Sequence, residues 1–134
     1  MRVQLLAEDS FQVVAIMTGD KCPAVDFLSA GEKATAASRK GLLRMIEHIA
    51  EHGLGGLPVA WSHEVNKDEG IYELVKGDLR LFFFKGKDRQ ITVLTSGIMK
   101  KGRKVDALSV ARAIALKKEY LSAQQRNLLK VIDP

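Results

Sequence analysis

Arg80 stands inside an apolar run, Leu79–Arg80–Leu81–Phe82–Phe83–Phe84, where an unpaired guanidinium would be costly. Two arrangements would relieve it: an ion pair with a carboxylate on a neighbouring strand, or a groove that receives an anion. Glu73, in the preceding run Ile71–Tyr72–Glu73–Leu74–Val75, is the nearest candidate partner. A guanidinium is a rigid fork of donors that matches phosphate, and a carboxylate beside it can orient it or accept a proton. Further cations gather nearby. Lys85, Lys87 and Arg89 follow the aromatic run, and Lys100, Lys101, Arg103 and Lys104 follow the next apolar one. From Lys76 to Lys104 nine basic residues face two acidic ones, a net of +7, whereas the whole chain carries +5 and the remainder therefore −2. Charge this concentrated points to a polyanionic partner.

The elements that must position these residues are legible in outline. Residues 11–18, FQVVAIMT, are rich in β-formers and predict a strand, with RVQLLAE as its hairpin partner through Glu8–Asp9–Ser10. Gly19 to Pro23 break it. From Ala24 to His52 the spacing becomes helical and predicts two helices broken at Gly31. Leu42, Met45, Ile46 and Ile49 form a buried stripe, and the small Ala34, Ala37 and Gly41 would let the two helices approach closely. Gly53 is the expected stop. Residues 53–69 read as a loop.

A three-stranded antiparallel meander is expected next. Gly77–Asp78 forms a two-residue hairpin turn, which sets Val75 opposite Arg80 and Glu73 opposite Phe82. Because side chains alternate across a strand, Tyr72, Leu74, Leu81 and Phe83 share one face and pack on the helices. Glu73 and Arg80 occupy the other, expected to look away from the main core. A turn at residues 86–89 leads into the strand QITVLTSGI. A last helix starts at about Asp106, a suitable cap, with Ala107, Val110, Ala111, Ile114 and Leu121 as its buried stripe. The fold class expected is α+β, in a single domain over residues 1–134.

Other chemistries are weaker. His48–Ile49–Ala50–Glu51–His52 has the spacing of an inverted zinc-protease motif, but a zinc hydrolase needs a third ligand, and the only other histidine is His63. A wet helix face accounts for these residues more simply. Gly53–Leu54–Gly55–Gly56 lacks the Gly-Lys-Ser/Thr continuation of a phosphate-binding loop and reads as a helix stop and turn. Cys22 has no nucleophile motif around it, and one cysteine cannot form an internal disulfide. Trp61 and Tyr72 read as packing residues.

Composition excludes several classes. At 46% hydrophobic and 28% charged residues the chain is ordinary for a folded domain. No apolar run approaches the roughly 20 residues that span a bilayer, and MRVQLLAEDS meets acidic residues too early for a secretory signal. A reducing cytoplasm is the expected setting, and no membrane partner is expected.

Taken in order, Gly70–Ile71–Tyr72–Glu73–Leu74, then Arg80–Leu81–Phe82–Phe83–Phe84, then Gly97–Ile98–Met99–Lys100–Lys101, and a helix carrying Ala111–Arg112–Ala113 and Tyr120 resemble the RelE superfamily of toxins from toxin–antitoxin pairs, most closely its phage-related HigB-like branch. Val75 stands where that branch places an arginine, Ile98 where it places a phenylalanine, and Ser96 where a histidine is frequent. The resemblance implies a metal-independent, cofactor-free endoribonuclease that cuts mRNA on the ribosome, restrained by a small helical antitoxin. Carried onto this chain it makes Arg80 the phosphate clamp with Lys100 and Lys101 beside it, and Glu73 the base or the group that orients Arg80. Lys85, Lys87, Arg89, Arg103 and Lys104 would hold RNA phosphates. Similar folds also occur in ParE-type proteins that act on DNA gyrase, so a non-enzymatic interaction protein, including an inactive phage-related one, is the alternative.

Overall fold

Two opposed apolar faces on one sheet organise the molecule, and each has its own helical cover. The computed structural model describes residues 1–100 and 106–133. Its strands are β1 (Arg2–Glu8), β2 (Gln12–Ile16), β3 (Ser62–Asn66), β4 (Ile71–Lys76), β5 (Leu79–Lys85), β6 (Ile91–Met99) and β7 (Lys130–Ile132); its helices are α1 (Pro23–Leu28), α2 (Ala36–His52) and α3 (Ala107–Gln125). The strands form one mixed sheet in the order β3-β4-β5-β6-β2-β1-β7. Pairing is antiparallel from β3 through β6 and between β1 and β2, and parallel for β2 with β6 and β1 with β7. The α+β class is as expected.

The hairpins follow local rules. Gly77 takes a positive φ of 57° at the first central position of the β4–β5 turn, the place a type II′ hairpin reserves for glycine. That turn pairs Val75 with Arg80 and Glu73 with Phe82, the register read from the sequence. Leu74, Leu81 and Phe83 then join Val13, Ala15, Leu94 and the α2 residues Leu42, Met45, Ile46 and Ile49 in one core. The α1–α2 segment breaks near Gly31 as expected, and Gly53 ends α2 with φ 73° and its N–H on the Ile49 carbonyl.

Several expectations are corrected. Residues 53–69 hold short 3₁₀ turns and the edge strand β3, so the antiparallel part has four strands. Ala34 and Ala37 are exposed and serve no helix contact. An added Cβ at Gly41 would meet the aliphatic stem of Lys76, its Cε at 2.7 Å, so the close approach there is helix to β4 and not helix to helix.

The largest correction concerns the second face. Val3, Val14, Ile16, Ile71, Phe82, Phe84 and Val93 form a second core beneath α3, with Val110, Ala113 and Tyr120. The Tyr120 ring meets Phe84 edge-on at 5.3 Å. Burying side chains of this size contributes roughly 1.5–3 kcal/mol each. Asp106 caps α3, accepting from the Ser109 N–H at 3.2 Å. The helix is rotated from the expected stripe: Val110 and Ile114 pack inward, but Ala107, Ala111 and Leu121 are exposed, and Ser109, Ala113, Tyr120 and Ala123 are buried instead. The face bearing Glu73 and Arg80 is therefore a covered core and not a solvent groove.

Candidate functional site

Glu73 and Arg80 meet. They lie diagonally across β4 and β5 on the α3 face, with Arg80 Nε 3.4 Å from Glu73 Oε2. Their side chains are only 5% and 11% exposed. Arg80 Nη1 also donates to the carbonyls of Gly77 at 2.8 Å and Leu79 at 3.0 Å. The guanidinium is thus tethered to the hairpin that placed it. His63 on β3, directly opposite Glu73, brings Nδ1 to 3.8 Å from the same Oε2. The other carboxylate oxygen, Oε1, is buried and has no hydrogen-bond partner among the described residues, and neither has Ser96 Oγ. A buried acceptor left unpaired costs about 1–3 kcal/mol, so this corner is polar at a cost to stability.

Lys100 enters the same corner. Its N–H donates to the Asp78 carbonyl at 2.8 Å, directly after β6 pairs Ile98 with Arg80. Lys101, Arg103 and Lys104 lie outside the described residues. Of the predicted catalytic set, the structure brings together Arg80, Glu73 and the backbone of Lys100.

The second cationic group is elsewhere. Lys85 closes β5 at the end opposite Arg80, about 17 Å away over five residues at a rise of ~3.3 Å each. It follows Leu81 and Phe83 in the alternation, so it belongs to the α2 face, with its Nζ 5.0 Å over the Tyr72 ring. Lys87 and Arg89 lie in the turn between β5 and β6. Lys76 crosses α2 at Gly41 on that same face but at the hairpin end. A stretch that is one basic block in sequence is divided between two faces and two ends of the sheet.

A cleft of about 720 Å³ opens beside Lys85, between the 53–57 loop after α2 and the β5–β6 turn. Phe11, Tyr72 and Phe83 contribute rings to it, and His52, Lys85, Asp88, Arg89 and Gln90 contribute polar groups. Sequence reading assigned Lys85 and Arg89 to phosphate contacts but did not foresee this enclosure, because it depends on Phe11 and Gly53 arriving from distant segments. Gly53 lies so close to Phe11 that an added Cβ would stand 2.7 Å from the ring.

The remaining candidates have structural roles. The His48 and His52 rings meet tilted at 49° with centroids 4.7 Å apart, His48 Nε2 is 3.1 Å from the Gly56 carbonyl, and His52 Nε2 is 3.5 Å from Glu51. His63 belongs to the opposite, Glu73-bearing face. Among the described residues no group of three or more His, Cys, Asp or Glu is placed to hold a metal ion. Trp61 packs edge-on to His48. Cys22 is buried, and desolvation raises its thiol pKa. No helix among the described residues is long and apolar enough to cross a membrane.

Fold and site together define a mixed α+β domain with helices on both faces of a seven-stranded sheet and a buried guanidinium–carboxylate pair at one corner. The chain matches no protein-family model, and no curated protein matches it significantly.

Proposed function

We propose that the chain is the toxin of a toxin–antitoxin pair, of the RelE-like and HigB-like kind, acting in the cytoplasm on mRNA at the ribosome. The observation that supports this reading best is the Arg80–Glu73–Lys100 corner. RNA cleavage of this kind needs a donor to the phosphoryl oxygens, a proton acceptor and a proton donor. The ribose 2′-oxygen attacks the adjacent phosphorus, its proton passes to a base, and the bond from phosphorus to the 5′-oxygen breaks. The leaving oxygen takes a proton from water, giving a 2′,3′-cyclic phosphate and a 5′-hydroxyl. Arg80, tethered by the Gly77 and Leu79 carbonyls, is a preorganised donor for the charge that develops on the phosphoryl oxygens. Glu73, with Oε2 directed to Arg80, orients the guanidinium; its Oε1 is buried, so its service as the base requires the corner to open to RNA. Lys100, with Lys101 next in sequence, supplies further positive charge. A small helical antitoxin covering the basic surface would restrain the activity.

The second reading is a non-enzymatic interaction protein of the same kind, ParE-like or inactive. The burial of both side chains, 5% and 11% exposed, favours it, since a structural ion pair needs no access. One experiment separates them. Induced expression should arrest growth and stop translation while DNA synthesis continues, and Arg80→Ala with Lys101→Ala should relieve the arrest. Glu73→Gln, with folding checked by circular dichroism, should relieve it too. Arrest by Glu73→Gln at wild-type strength, or arrest of replication in place of translation, would support the interaction reading and sink the nuclease.

A further inference from the structure

The cleft beside Lys85 lies on the opposite face of the sheet from Arg80 and Glu73, at the opposite end of β5, and the proposed nuclease chemistry makes no use of it. Its volume of about 720 Å³ is in the range of small-molecule sites, which combine apolar walls with a few convergent polar groups. One wall is aromatic. Phe11 is tied to the end of α2 by its N–H on the Ala50 carbonyl at 3.0 Å. Tyr72 is stacked on Phe83 with centroids 5.4 Å apart and planes 20° from parallel, so both rings are held by strand pairing.

Two cations border the cleft. Lys85 is exposed, with its Nζ 5.0 Å over the Tyr72 ring, a contact that leaves its ammonium at the cleft. Arg89 lines the cleft from a turn in which Asp88 and Arg89 both adopt positive φ, 56° and 59°. Non-glycine residues rarely do so, and two in succession are strained. Hydrogen bonds from Gly86 N–H to the Ile91 carbonyl at 2.7 Å and from Gln12 N–H to the Gln90 carbonyl at 2.9 Å pin that turn. The loop opposite approaches Phe11 closely at Gly53, where an added Cβ would stand 2.7 Å from the ring. His52, Asp88 and Gln90 add acceptors and donors at the rim.

Aromatic rings beside two exposed cations match a ligand that carries a planar aromatic ring and an anionic group a few bonds apart. We propose that this cleft binds a nucleoside monophosphate unit, with its base against Phe11 and its phosphate between Lys85 and Arg89. Asp88 and Gln90 would meet ribose hydroxyls or base edges. The unit could be a free nucleotide or one residue of a single RNA strand, since both present the same groups. The proposal stands whether or not the Arg80 corner cleaves RNA.

Amide chemical-shift titration of the full chain tests it. The ligands are AMP, GMP, CMP, UMP, a tetranucleotide RNA, ribose 5-phosphate and inorganic phosphate. The expected result is shifts at Gly53, Gly55, Gly56 and Asp88 to Gln90, with a nucleotide or the tetranucleotide binding at least roughly tenfold tighter than ribose 5-phosphate, as base–aromatic stacking supplies. Lys85→Ala and Arg89→Ala should each weaken that binding, and Lys118→Ala, an exposed residue of α3 outside both sites, should leave it unchanged. Binding of mononucleotides identifies a free nucleotide as the ligand; binding of the tetranucleotide alone identifies an RNA strand. Equal affinity for ribose 5-phosphate or inorganic phosphate, an absence of shifts, or shifts confined to the Gly77–Lys100 corner would overturn the proposal.

Discussion

Arg80 Nε lies 3.4 Å from Glu73 Oε2, with neither side chain more than 11% exposed. A pair so enclosed contributes little net stability, because desolvation offsets attraction, but removing one partner strands the other. Arg80→Ala should therefore destabilise the fold by about 3 kcal/mol, measured by urea denaturation. Glu73→Gln in that background should recover part of the loss, since a neutral amide is less costly to bury than a lone carboxylate. Additive losses in the double variant would show that the two side chains are not coupled.

Gly97 on β6 has no room for a side chain: an added Cβ would stand 2.2 Å from the Phe27 ring of α1. Gly97→Ala should cost about 1–3 kcal/mol by overpacking, read from the denaturation midpoint. Phe27→Leu, by removing the ring, should make Gly97→Ala less harmful than it is alone. A Gly97→Ala variant as stable as the parent would show that α1 does not seat there.

Stability should fall at alkaline pH. Desolvation raises the Tyr120 pKa above its usual 10.0 and the Cys22 pKa above 9.0. The unfolded chain loses these protons first, so it binds fewer protons than the folded one once pH exceeds the ordinary values, and unfolding becomes easier as pH climbs toward the raised ones. Below the ordinary values the contribution is fully present. Thermal melts from pH 8 upward should show the decline, and Tyr120→Phe should flatten its upper part, with a parallel decline in that variant refuting the role of the phenol.

Cys22 should also be slow to alkylate in the native state, because the reactive thiolate is scarce in a buried, desolvated thiol. Labelling by iodoacetamide at neutral pH, followed by mass spectrometry, should accelerate sharply in denaturant. Equal rates in both conditions would contradict the burial.

Removal of the α3 cap should be felt more modestly. Asp106 accepts from the Ser109 N–H and hydroxyl, and Asp106→Ala should cost about 1 kcal/mol. Asp106→Asn, which keeps an acceptor oxygen, should cost less when both are measured by the same melt.

Local rules carried much of the fold. The Gly77–Asp78 turn set a register that holds residue for residue, and with it the assignment of Glu73 and Arg80 to one face and Tyr72 and Phe83 to the other. The α2 stripe, the Gly53 stop and the Asp106 cap are likewise properties of a few adjacent residues. β3 and β7 escaped because one is a polar edge strand, Ser–His–Glu–Val–Asn, and the other only three residues long; neither alternates clearly enough to signal itself. The face of α3 escaped because alanines surround the helix, so periodicity does not choose a side.

The sequence by itself determined which residues share a strand face, where the chain turns, and that positive charge gathers between Lys76 and Lys104. Tertiary structure alone decided what covers each face. By packing α3 over Phe82 and Phe84, it made a second core of the face expected to look away from the main one, and of the two arrangements open to Arg80 it realised the ion pair with Glu73. By turning β5 back into β6 it sent Lys85 and Arg89 to the opposite end, beside Phe11 and Tyr72. Charge density along a chain is a one-dimensional quantity. A strand distributes it over two faces and some 17 Å of length, so a single basic stretch became two separate sites.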